Sequence, residues 1–295
     1  MTTPEFDAMV ARLRDVQRVG TPTVAEMRAG WEAFAGQFIV PPGLEVTPVD
    51  AGGVAAEWNV MPAADSGKCI LYLHGGGYNI GSPASYRQFT ARLSEATAAP
   101  LLSVDYRLAP EHRFPAAVED AVTAYRWLLA QGYASERIVF MGDSGGGGLV
   151  LTALIAAREQ GLAMPAAGVC FSPVTDLAKT GPSMLTNAEV DPIVRLDTSA
   201  AHAIRYMGEG ADLTHPLASP LYADLAGLPP LFLLVGTRET LLDDSTRFSA
   251  RAKAAGVDVR LEIWPDMIHI WPFFAQILPE GRLAIEAVGA YVRAA

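Results

Sequence analysis

One stretch of the sequence, from Arg137 to Ala157, constrains the fold of the chain more than any other. It begins with an apolar, β-branched run at 138–141, which predicts a buried strand, and ends with a helix-forming run at 149–157. Between these runs, residues 142–146 read Gly-Asp-Ser-Gly-Gly and match the pattern G-x-S-x-G. A chain that passes so abruptly from strand to helix must bend sharply, with glycines where the two elements approach each other. The sequence therefore predicts a strained turn that exposes Ser144 Oγ at a helix N-terminus, where backbone N–H groups favour negative charge.

Composition and charge exclude several classes of protein. Hydrophobic residues make up 51% of the 295 residues, which is enough for a sizeable core, and the formal net charge is −10. A surface this acidic repels nucleic acid and anionic lipid, so neither is an expected partner. The longest uncharged apolar run, 145–157, is shorter than the ~20 residues of a membrane span, and the N-terminus lacks the apolar core of a signal peptide. We therefore expect a cytoplasmic protein without stable membrane insertion.

Strands and helices alternate along most of the chain. Eight segments have the apolar or alternating pattern of strands: residues 44–49, 54–60, 68–74, 100–106, 138–141, 164–171, 230–235 and 257–264. Helical segments follow the later strands: residues 85–96, 115–130, 149–157, 240–255 and 282–292. The first two strands read as an antiparallel hairpin, whereas the alternation after them indicates parallel strands. The chain is predicted to be an α/β protein, with a mostly parallel central sheet of about eight strands and helices on both faces.

Two segments do not fit this alternation. Residues 1–42 read as helices, with apolar side chains at helical spacing from Met9 to Val19 and a second helical piece at 24–38. Residues 183–217 have helical spacing and no strand pattern, so they are predicted to form a helical insertion that covers the strand ends as a cap. The main α/β domain comprises the remaining residues, 43–182 and 218–295.

The predicted turn offers a serine hydroxyl that needs a partner to become reactive. A serine is a weak nucleophile at neutral pH and requires a base, which in turn requires an orienting acid. Where a strand–serine–helix turn carries this chemistry, the chain order is serine, acid, histidine. His269 satisfies that order and lies in the loop after the last predicted strand, so it is the predicted base, although an ordinary surface position is the alternative for any loop histidine. The other histidines fit less well, because two precede the serine and two lie in or at the exit of the insertion: His74, His112, His202 and His215.

The orienting acid is expected in the loop after the preceding strand, which ends at Gly236. Glu239 lies in that loop and is the predicted acid. Asp243 and Asp244 come a turn later and fit better as favourable charges in the first turn of a helix. Asp266 is close in sequence to the predicted base and stays open as an alternative.

A glycine-rich run directly follows the third predicted strand. Residues 74–77 read His-Gly-Gly-Gly and place bare backbone amides at the carboxyl edge of the sheet. Attack on a carbonyl builds negative charge on its oxygen, which preorganised N–H groups stabilise. We assign that oxyanion-binding role to the N–H groups of Gly76 and Gly77, together with that of Gly145 after the serine; a merely flexible turn is the alternative. His74 is expected to brace the loop through hydrogen bonds.

Motifs for cofactors and metals are not found in the sequence. No phosphate-binding loop and no dinucleotide-binding G-x-G-x-x-G occur. No histidine or cysteine pair has the spacing of a zinc site, and Cys69 and Cys170 lie in apolar, strand-like runs. We therefore expect neither a cofactor nor a metal.

Several of these motifs together resemble the hormone-sensitive-lipase-like branch of the α/β-hydrolases. The resemblance extends from about Leu71 to the C-terminus and is carried by His-Gly-Gly-Gly at 74–77, Asp-Tyr-Arg-Leu-Ala-Pro-Glu-His at 105–112, Gly-Asp-Ser-Gly-Gly at 142–146 and Ser-Pro-Leu at 219–221. It implies the α/β-hydrolase fold and a carboxylesterase that acts on short- or medium-chain acyl esters. It also implies that the N-terminal helices contribute to the cap.

Two positions depart from the pattern of that family. The acid is usually aspartate, whereas Glu239 reaches one methylene further, so its loop must retract slightly to serve the same role. The residue after the serine is commonly alanine, and here Gly145 still supplies the N–H group.

The sequence thus predicts a serine carboxylesterase that acts on a small-molecule ester through an acyl-enzyme. One alternative is a non-catalytic small-molecule receptor on the same fold, since plant gibberellin receptors resemble this family but lack the histidine that His269 supplies here. A second alternative is an amide or peptide hydrolase that uses the same Ser144, Glu239 and His269. Some relatives pair through their last strand, so a homodimer through residues 257–264 is a further expectation.

Overall fold

The computed structural model describes residues 3–16, 22–62, 64 and 67–295. Eight strands occur in these residues: β1 (Glu45–Asp50), β2 (Ala55–Val60), β3 (Cys69–Leu73), β4 (Leu101–Val104), β5 (Ile138–Asp143), β6 (Ala167–Phe171), β7 (Leu231–Gly236) and β8 (Val259–Trp264). The same residues contain nine α-helices: α1 (Pro4–Val16), α2 (Val24–Ala35), α3 (Pro83–Thr97), α4 (Ala116–Ala130), α5 (Ser144–Glu159), α6 (Ser183–Thr186), α7 (Leu196–Met207), α8 (Leu242–Ala254) and α9 (Pro279–Ala294). From β3 onward strands and helices alternate as predicted, except that two helices lie between β6 and β7.

The strands form one sheet in the order β1-β2-β4-β3-β5-β6-β7-β8. Strand β2 runs antiparallel to both of its neighbours. Along the rest of the sheet, in the order β4-β3-β5-β6-β7-β8, every neighbouring pair is parallel. This confirms the predicted hairpin at the edge of an otherwise parallel sheet. Because parallel strands all end at the same edge, the loops after β3, β5, β6, β7 and β8 come together there.

The central strands are covered on both faces, which explains their uninterrupted apolar sequences. Every residue of β3, β4, β5, β6 and β7 is buried. One face of the sheet packs against α4, α5 and α8, and the other against α3 and α9. Two close-packed apolar cores therefore hold the sheet, and with it the loops at its carboxyl edge.

Helix α5 begins earlier than predicted, at Ser144 instead of residue 149. Glycines 145–148 therefore form its first turn, although glycine is a poor helix former. The reason is space, since a Cβ on Gly146 would lie 2.1 Å from Leu73 O at the end of β3. A side chain there would push α5 away from the sheet, so this tertiary contact overrides helix propensity.

The N-terminal segment and the insertion contribute helices near the carboxyl edge of the sheet. Helix α1 ends at Val16, and the predicted helical position Val19 lies outside the described residues. Residues 183–217 contain α6 and α7 and no strand. Side chains from α1, α2 and α7 line one cavity together with Ser144. Among the residues that the structure describes, no helix is long and apolar enough to span a bilayer.

Candidate active site

Ser144 lies at the sharp turn between β5 and α5, where its backbone φ is 53°. This left-handed conformation is unfavourable for a residue with a side chain, so the surrounding contacts must impose it. Gly142 before it has no room for a side chain, because a Cβ there would lie 2.5 Å from Leu73 O. The predicted strained turn is therefore present, with the serine at the N-terminus of α5.

Three side chains from three loops meet in one hydrogen-bonded series. Ser144 Oγ lies 2.9 Å from His269 Nε2, and His269 Nδ1 lies 3.0 Å from Glu239 Oε2. Glu239 follows β7 and His269 follows β8, so the carboxyl edge of the sheet brings both to the serine. Glu239 is 0% and His269 2% exposed. In this arrangement a proton can pass from the hydroxyl to the imidazole while the carboxylate holds the opposite nitrogen.

Ser172 orients the carboxylate of this series. Its hydroxyl donates to Glu239 Oε1 at 2.8 Å, and the N–H of Gly236 donates to the same oxygen at 2.5 Å. The N–H of Ile270, next to the histidine, donates to Ser172 Oγ at 3.2 Å. Sequence reasoning missed Ser172; the available signal was its position directly after β6, at the same edge of the sheet as the other loops.

The insertion holds the loop that carries the acid. Asn187 Nδ2 donates to Glu239 O at 2.7 Å and to Thr237 O at 3.1 Å. The buried Asp191 accepts hydrogen bonds from the N–H and hydroxyl of Thr240 at 2.8 and 3.1 Å. Hydrogen bonds from the insertion thus fix the backbone on both sides of the carboxylate. Sequence reasoning missed Asn187 and Asp191 as well.

The alternative acids lie elsewhere. Asp243 and Asp244 are in the first turn of α8, as predicted for favourable helix charges. The carboxylate of Asp244 accepts the N–H groups of Thr175 and Asp176, and that of Asp243 accepts a backbone N–H from α6. Asp266 is in an exposed loop with a φ of 61°. The carboxylate within hydrogen-bond distance of His269 Nδ1 is that of Glu239.

Burial and hydrogen bonding oppose each other at the titratable groups of the series. Burial alone would lower the pKa of His269, but the hydrogen bond and charge of Glu239, with a smaller contribution from Asp191, leave that pKa raised. Burial raises the pKa of Glu239, although its hydrogen bond to His269 acts in the other direction. An imidazole with a raised pKa holds a transferred proton more firmly, which suits a general base.

The glycine-rich loop after β3 lies against the start of α5. Gly76 and Gly77 have φ values of 107° and 59°, which residues with a side chain rarely adopt. A Cβ on Gly145 would lie 2.9 Å from Gly77 Cα and 3.0 Å from Gly77 N, so the two backbones are in close contact. Gly76 and Gly77 also line the same cavity as Ser144. The structure thus brings the backbones of the three predicted oxyanion glycines together beside the serine.

Asp143, the residue before the serine, fastens that loop to β5. Its buried carboxylate accepts hydrogen bonds from Gly75 N–H at 2.9 Å and from the hydroxyls of Tyr72 and Tyr86 at 2.6 and 3.0 Å. Burial raises the pKa of Asp143 to about 6, against the opposing effect of these donors. Sequence reasoning missed this role because the donors come from distant parts of the chain.

His74 lies within the glycine loop. Its Nδ1 is 2.8 Å from Gly75 O, and its ring stacks on that of Tyr106 with the centroids 4.4 Å apart. Burial lowers the pKa of His74 to about 4, which keeps the ring neutral at pH 7. These contacts are those expected of a bracing residue.

A cavity of about 690 Å³ opens onto Ser144 and is lined mainly by apolar side chains. Its walls come from the glycine loop, α1, α2 and the insertion. His202 on α7 lines it too, with Nδ1 2.4 Å from where a Cβ on Gly77 would lie. Burial lowers the pKa of His202 to about 4. Sequence reasoning placed His202 in the insertion but missed that it lies beside the glycine loop.

Known proteins resemble this chain over most of its length. Residues 70–273 match the model of a family described as having the α/β-hydrolase fold. The chain is 48% identical over 266 residues to an acetyl-hydrolase of Streptomyces hygroscopicus, which covers 90% of this chain and 86% of that protein. It is 32% identical to an esterase of Acinetobacter venetianus, over 85% of this chain and 82% of that one.

Solved structures agree closely with the fold. An esterase from the bacterial hormone-sensitive lipase family matches with a TM-score of 0.96 and 47% identity, covering 99% of this chain and 98% of that one. A hormone-sensitive lipase from a metagenome library matches with a TM-score of 0.95 and 39% identity, over 100% and 99% of the two chains. These matches confirm the predicted fold class and the resemblance drawn from the motifs. The chain therefore belongs to the α/β-hydrolase family, in its bacterial hormone-sensitive-lipase-like group of carboxylic ester hydrolases.

Proposed function

We propose that the protein hydrolyses short- to medium-chain acyl esters through an acyl-enzyme formed on Ser144. His269 is the general base and Glu239 its orienting acid. The observation that carries the proposal is the series from Ser144 Oγ to His269 Nε2 at 2.9 Å and from His269 Nδ1 to Glu239 Oε2 at 3.0 Å. Nucleophilic serine catalysis requires a hydroxyl within hydrogen-bond distance of an imidazole whose other nitrogen is held by a carboxylate.

The first half-reaction transfers the acyl group to the serine. Ser144 Oγ attacks the ester carbonyl carbon while its proton passes to His269 Nε2. When the tetrahedral intermediate collapses, the bond to the alkoxy oxygen breaks and His269 returns the proton to the leaving alcohol. Glu239 accepts the hydrogen bond from Nδ1–H throughout and stabilises the imidazolium that forms.

The second half-reaction repeats these steps with water. His269 takes a proton from the water molecule that attacks the acyl carbonyl, and the proton then returns to Ser144 Oγ as the carboxylic acid leaves. In both halves the negative carbonyl oxygen is bound by the N–H groups of Gly76, Gly77 and Gly145. Their close backbone contact beside the serine supports this role.

We assign the remaining segments accordingly. Residues 43–182 and 218–295 form the catalytic domain, whereas residues 1–42 and the insertion 183–217 form a cap. Support comes from the cavity walls, which combine α1, α2 and α7 with the glycine loop. A cavity of about 690 Å³ accommodates a small acyl ester, which we propose as the substrate class.

The decisive experiment compares the wild type with Ser144→Ala and His269→Ala on 4-nitrophenyl acetate and butyrate. Both variants should keep the fold, checked by circular dichroism, and lose turnover. Full activity of a folded Ser144→Ala variant would refute the mechanism. A fluorophosphonate separates an esterase from a receptor on the same fold, because only an activated serine is labelled. Paired 4-nitrophenyl acetate and 4-nitroacetanilide separate an esterase from an amide hydrolase.

A further inference from the structure

Lys179 is a buried cation whose charge the proposed mechanism does not use. It lies in the loop after β6, at the carboxyl edge of the sheet, and it lines the cavity that contains Ser144. The residue as a whole is partly exposed, but its Nζ is covered from water and has no hydrogen-bond partner among the described residues. A buried ammonium without an acceptor is unfavourable, so its position calls for a ligand.

The carboxylates nearest in charge are already engaged by other donors. Burial lowers the pKa of Lys179, and the negative charges of Asp244 and Asp176 act in the other direction. Neither carboxylate accepts a hydrogen bond from Lys179 in the part of the chain that the structure describes. Asp244 accepts the N–H groups of Thr175 and Asp176 at 2.7 and 3.0 Å. Asp176 accepts from several groups: the N–H of Ala178, the N–H and hydroxyl of Thr180, the hydroxyl of Tyr222 and the guanidinium of Arg247. The negative charges of these carboxylates favour the protonated form of Lys179, but its three N–H donors stay without an acceptor among the described residues.

The other cations of the cavity wall are paired, unlike Lys179. Arg12 donates to Gln37 Oε1 at 2.8 Å, and Arg195 donates to both carboxylate oxygens of Asp197. The rest of the wall is mainly apolar. Among the described residues of the wall, Lys179 is therefore the cation whose charged group makes no hydrogen bond.

Lys179 also shares the cavity with groups close to the serine. It lines the same wall as His202, whose pKa is lowered mainly by burial and further by the charges of Arg205 and Lys179. His202 Nδ1 in turn lies 2.4 Å from where a Cβ on Gly77 would be, and Gly77 belongs to the loop beside Ser144. Ser144, Gly77, His202 and Lys179 thus line one cavity. A substrate that extends from Ser144 along this cavity has Lys179 in its wall.

We propose that Lys179 binds a carboxylate carried by the substrate outside the ester bond, so that the preferred esters are anionic. This inference rests on the proposed function, because it names a substrate class for the same site. The lysine stem has four rotatable bonds, and turning its outer bonds brings the ammonium to the cavity surface. A carboxylate then supplies the acceptor that Nζ lacks and replaces the water that it loses on entering the cavity.

The carboxylate can belong to either half of the ester, and two pairs of matched substrates distinguish the cases. For the acyl half, monoethyl glutarate is compared with ethyl 5-methylhexanoate, in which an isopropyl group replaces the carboxylate. For the alcohol half, 4-acetoxybenzoate is compared with 4-isopropylphenyl acetate. The wild type, Lys179→Met and Lys179→Arg are assayed on all four, and each result is expressed as the ratio of kcat/KM for the charged ester to that for its neutral partner.

In one of the two pairs, the ratio should fall about tenfold or more in Lys179→Met, because a hydrogen bond to a charged group is lost. In Lys179→Arg, which keeps the positive charge, the ratio for that pair should stay close to the wild-type value. Unchanged ratios in both pairs overturn the proposal. The proposal is also overturned if the wild type hydrolyses each charged ester with a kcat/KM more than about tenfold below that of its neutral partner. This second criterion does not depend on the variants, so the test stays decisive even if Lys179→Met does not fold. Failure of the proposed function is a different result, because the neutral esters would then not be hydrolysed either.

Discussion

Asp191 in the insertion accepts two hydrogen bonds from Thr240, the residue that follows Glu239, at 2.8 and 3.1 Å. Its other carboxylate oxygen accepts the N–H groups of Ile193 and Val194 at 2.9 and 3.0 Å. One buried carboxylate therefore fastens the insertion to the acid loop. It also places a negative charge near the catalytic series, and this has a measurable consequence.

Asp191→Asn should move the acidic limb of the pH–rate profile to lower pH. A general base works only when it is deprotonated, so kcat/KM falls as the pH drops through the pKa of His269. The charge of Asp191 raises that pKa, alongside the larger effect of Glu239 and a smaller one of Asp143. Removing the charge lowers the pKa, and the base stays active in more acidic solution. The measurement is kcat/KM for 4-nitrophenyl acetate across the acidic and neutral range.

Asp197→Asn is the matched control for that experiment. Asp197 lies in the same insertion, but it is exposed and paired with Arg195, so solvent screens its charge. Its removal should leave the acidic limb in place. An unmoved limb in Asp191→Asn, or equal shifts in the two variants, would contradict the electrostatic role of Asp191.

Ser172→Ala should lower kcat about ten- to a hundredfold and leave KM nearly unchanged, because a hydrogen bond to an ionised group contributes about 1.5–3 kcal/mol. Ser172 touches Glu239 and does not line the substrate cavity, so its loss acts on the chemistry and not on binding. Ser103→Ala is the control, since Ser103 is also a buried serine but its hydroxyl has no partner in the described residues. Steady-state kinetics with both variants checks the prediction. Equal losses of kcat in Ser172→Ala and Ser103→Ala would contradict it.

Glu239 offers a test of how well the loop is adapted to glutamate. Glu239→Gln keeps the shape but loses the charge that stabilises the imidazolium, so kcat should fall by a factor on the order of 10²–10⁴. Glu239→Asp keeps the charge but shortens the side chain, which lengthens the 3.0 Å contact to His269 Nδ1. We expect a smaller loss, up to about 10²-fold. Activity of Glu239→Asp at or above the wild-type level would show that the loop has not retracted to suit glutamate.

Local patterns account for what the sequence predicted correctly. The five strands β3 to β7 were predicted because strands buried on both faces read as apolar runs, whereas β1, β2 and β8 are partly exposed and were predicted from mixed or alternating patterns. Ser144, Glu239 and His269 were predicted because each follows a strand, in the chain order expected after a strand–serine–helix turn. The structure brings the three within hydrogen-bond distance in series, and their catalytic roles stay a prediction. The predicted start of α5 was wrong because its first turn consists of glycines, which have a low helix propensity. Glycine is needed there because α5 lies so close to Leu73 O, and a contact with a distant strand is not part of local helix propensity.

The residues that sequence reasoning missed act through contacts between distant segments. Ser172 is 67 positions from Glu239, and Asp191 is 49 from Thr240. Both are polar residues of a common type, and nothing in the neighbouring sequence marks them. Their roles arise only when the sheet brings the loop after β6 and the insertion to the loop after β7. The sequence could not predict that the Lys179 ammonium makes no hydrogen bond, because this depends on which acceptors the fold places around Nζ.

The glycines after Ser144 separate a catalytic constraint from a structural one. A Cβ on Gly146 would lie 2.1 Å from Leu73 O, a backbone atom that cannot move aside, so Gly146→Ala should lose about 3 kcal/mol of stability or more. A Cβ on Gly145 would lie 2.9 Å from Gly77 Cα, a less severe overlap, but the backbone of the glycine loop must still shift to admit it. Alanine favours the helix by up to about 1 kcal/mol, which offsets part of the cost of that shift, so Gly145→Ala should lose less stability than Gly146→Ala. Its kcat on 4-nitrophenyl acetate should fall, because the N–H of Gly77 moves away from the proposed oxyanion position. The loss should be smaller than the roughly 10²-fold effect of removing one oxyanion donor completely. Thermal unfolding and kinetics on both variants test this. An active, stable Gly146→Ala protein would mean that α5 does not pack against β3 as described.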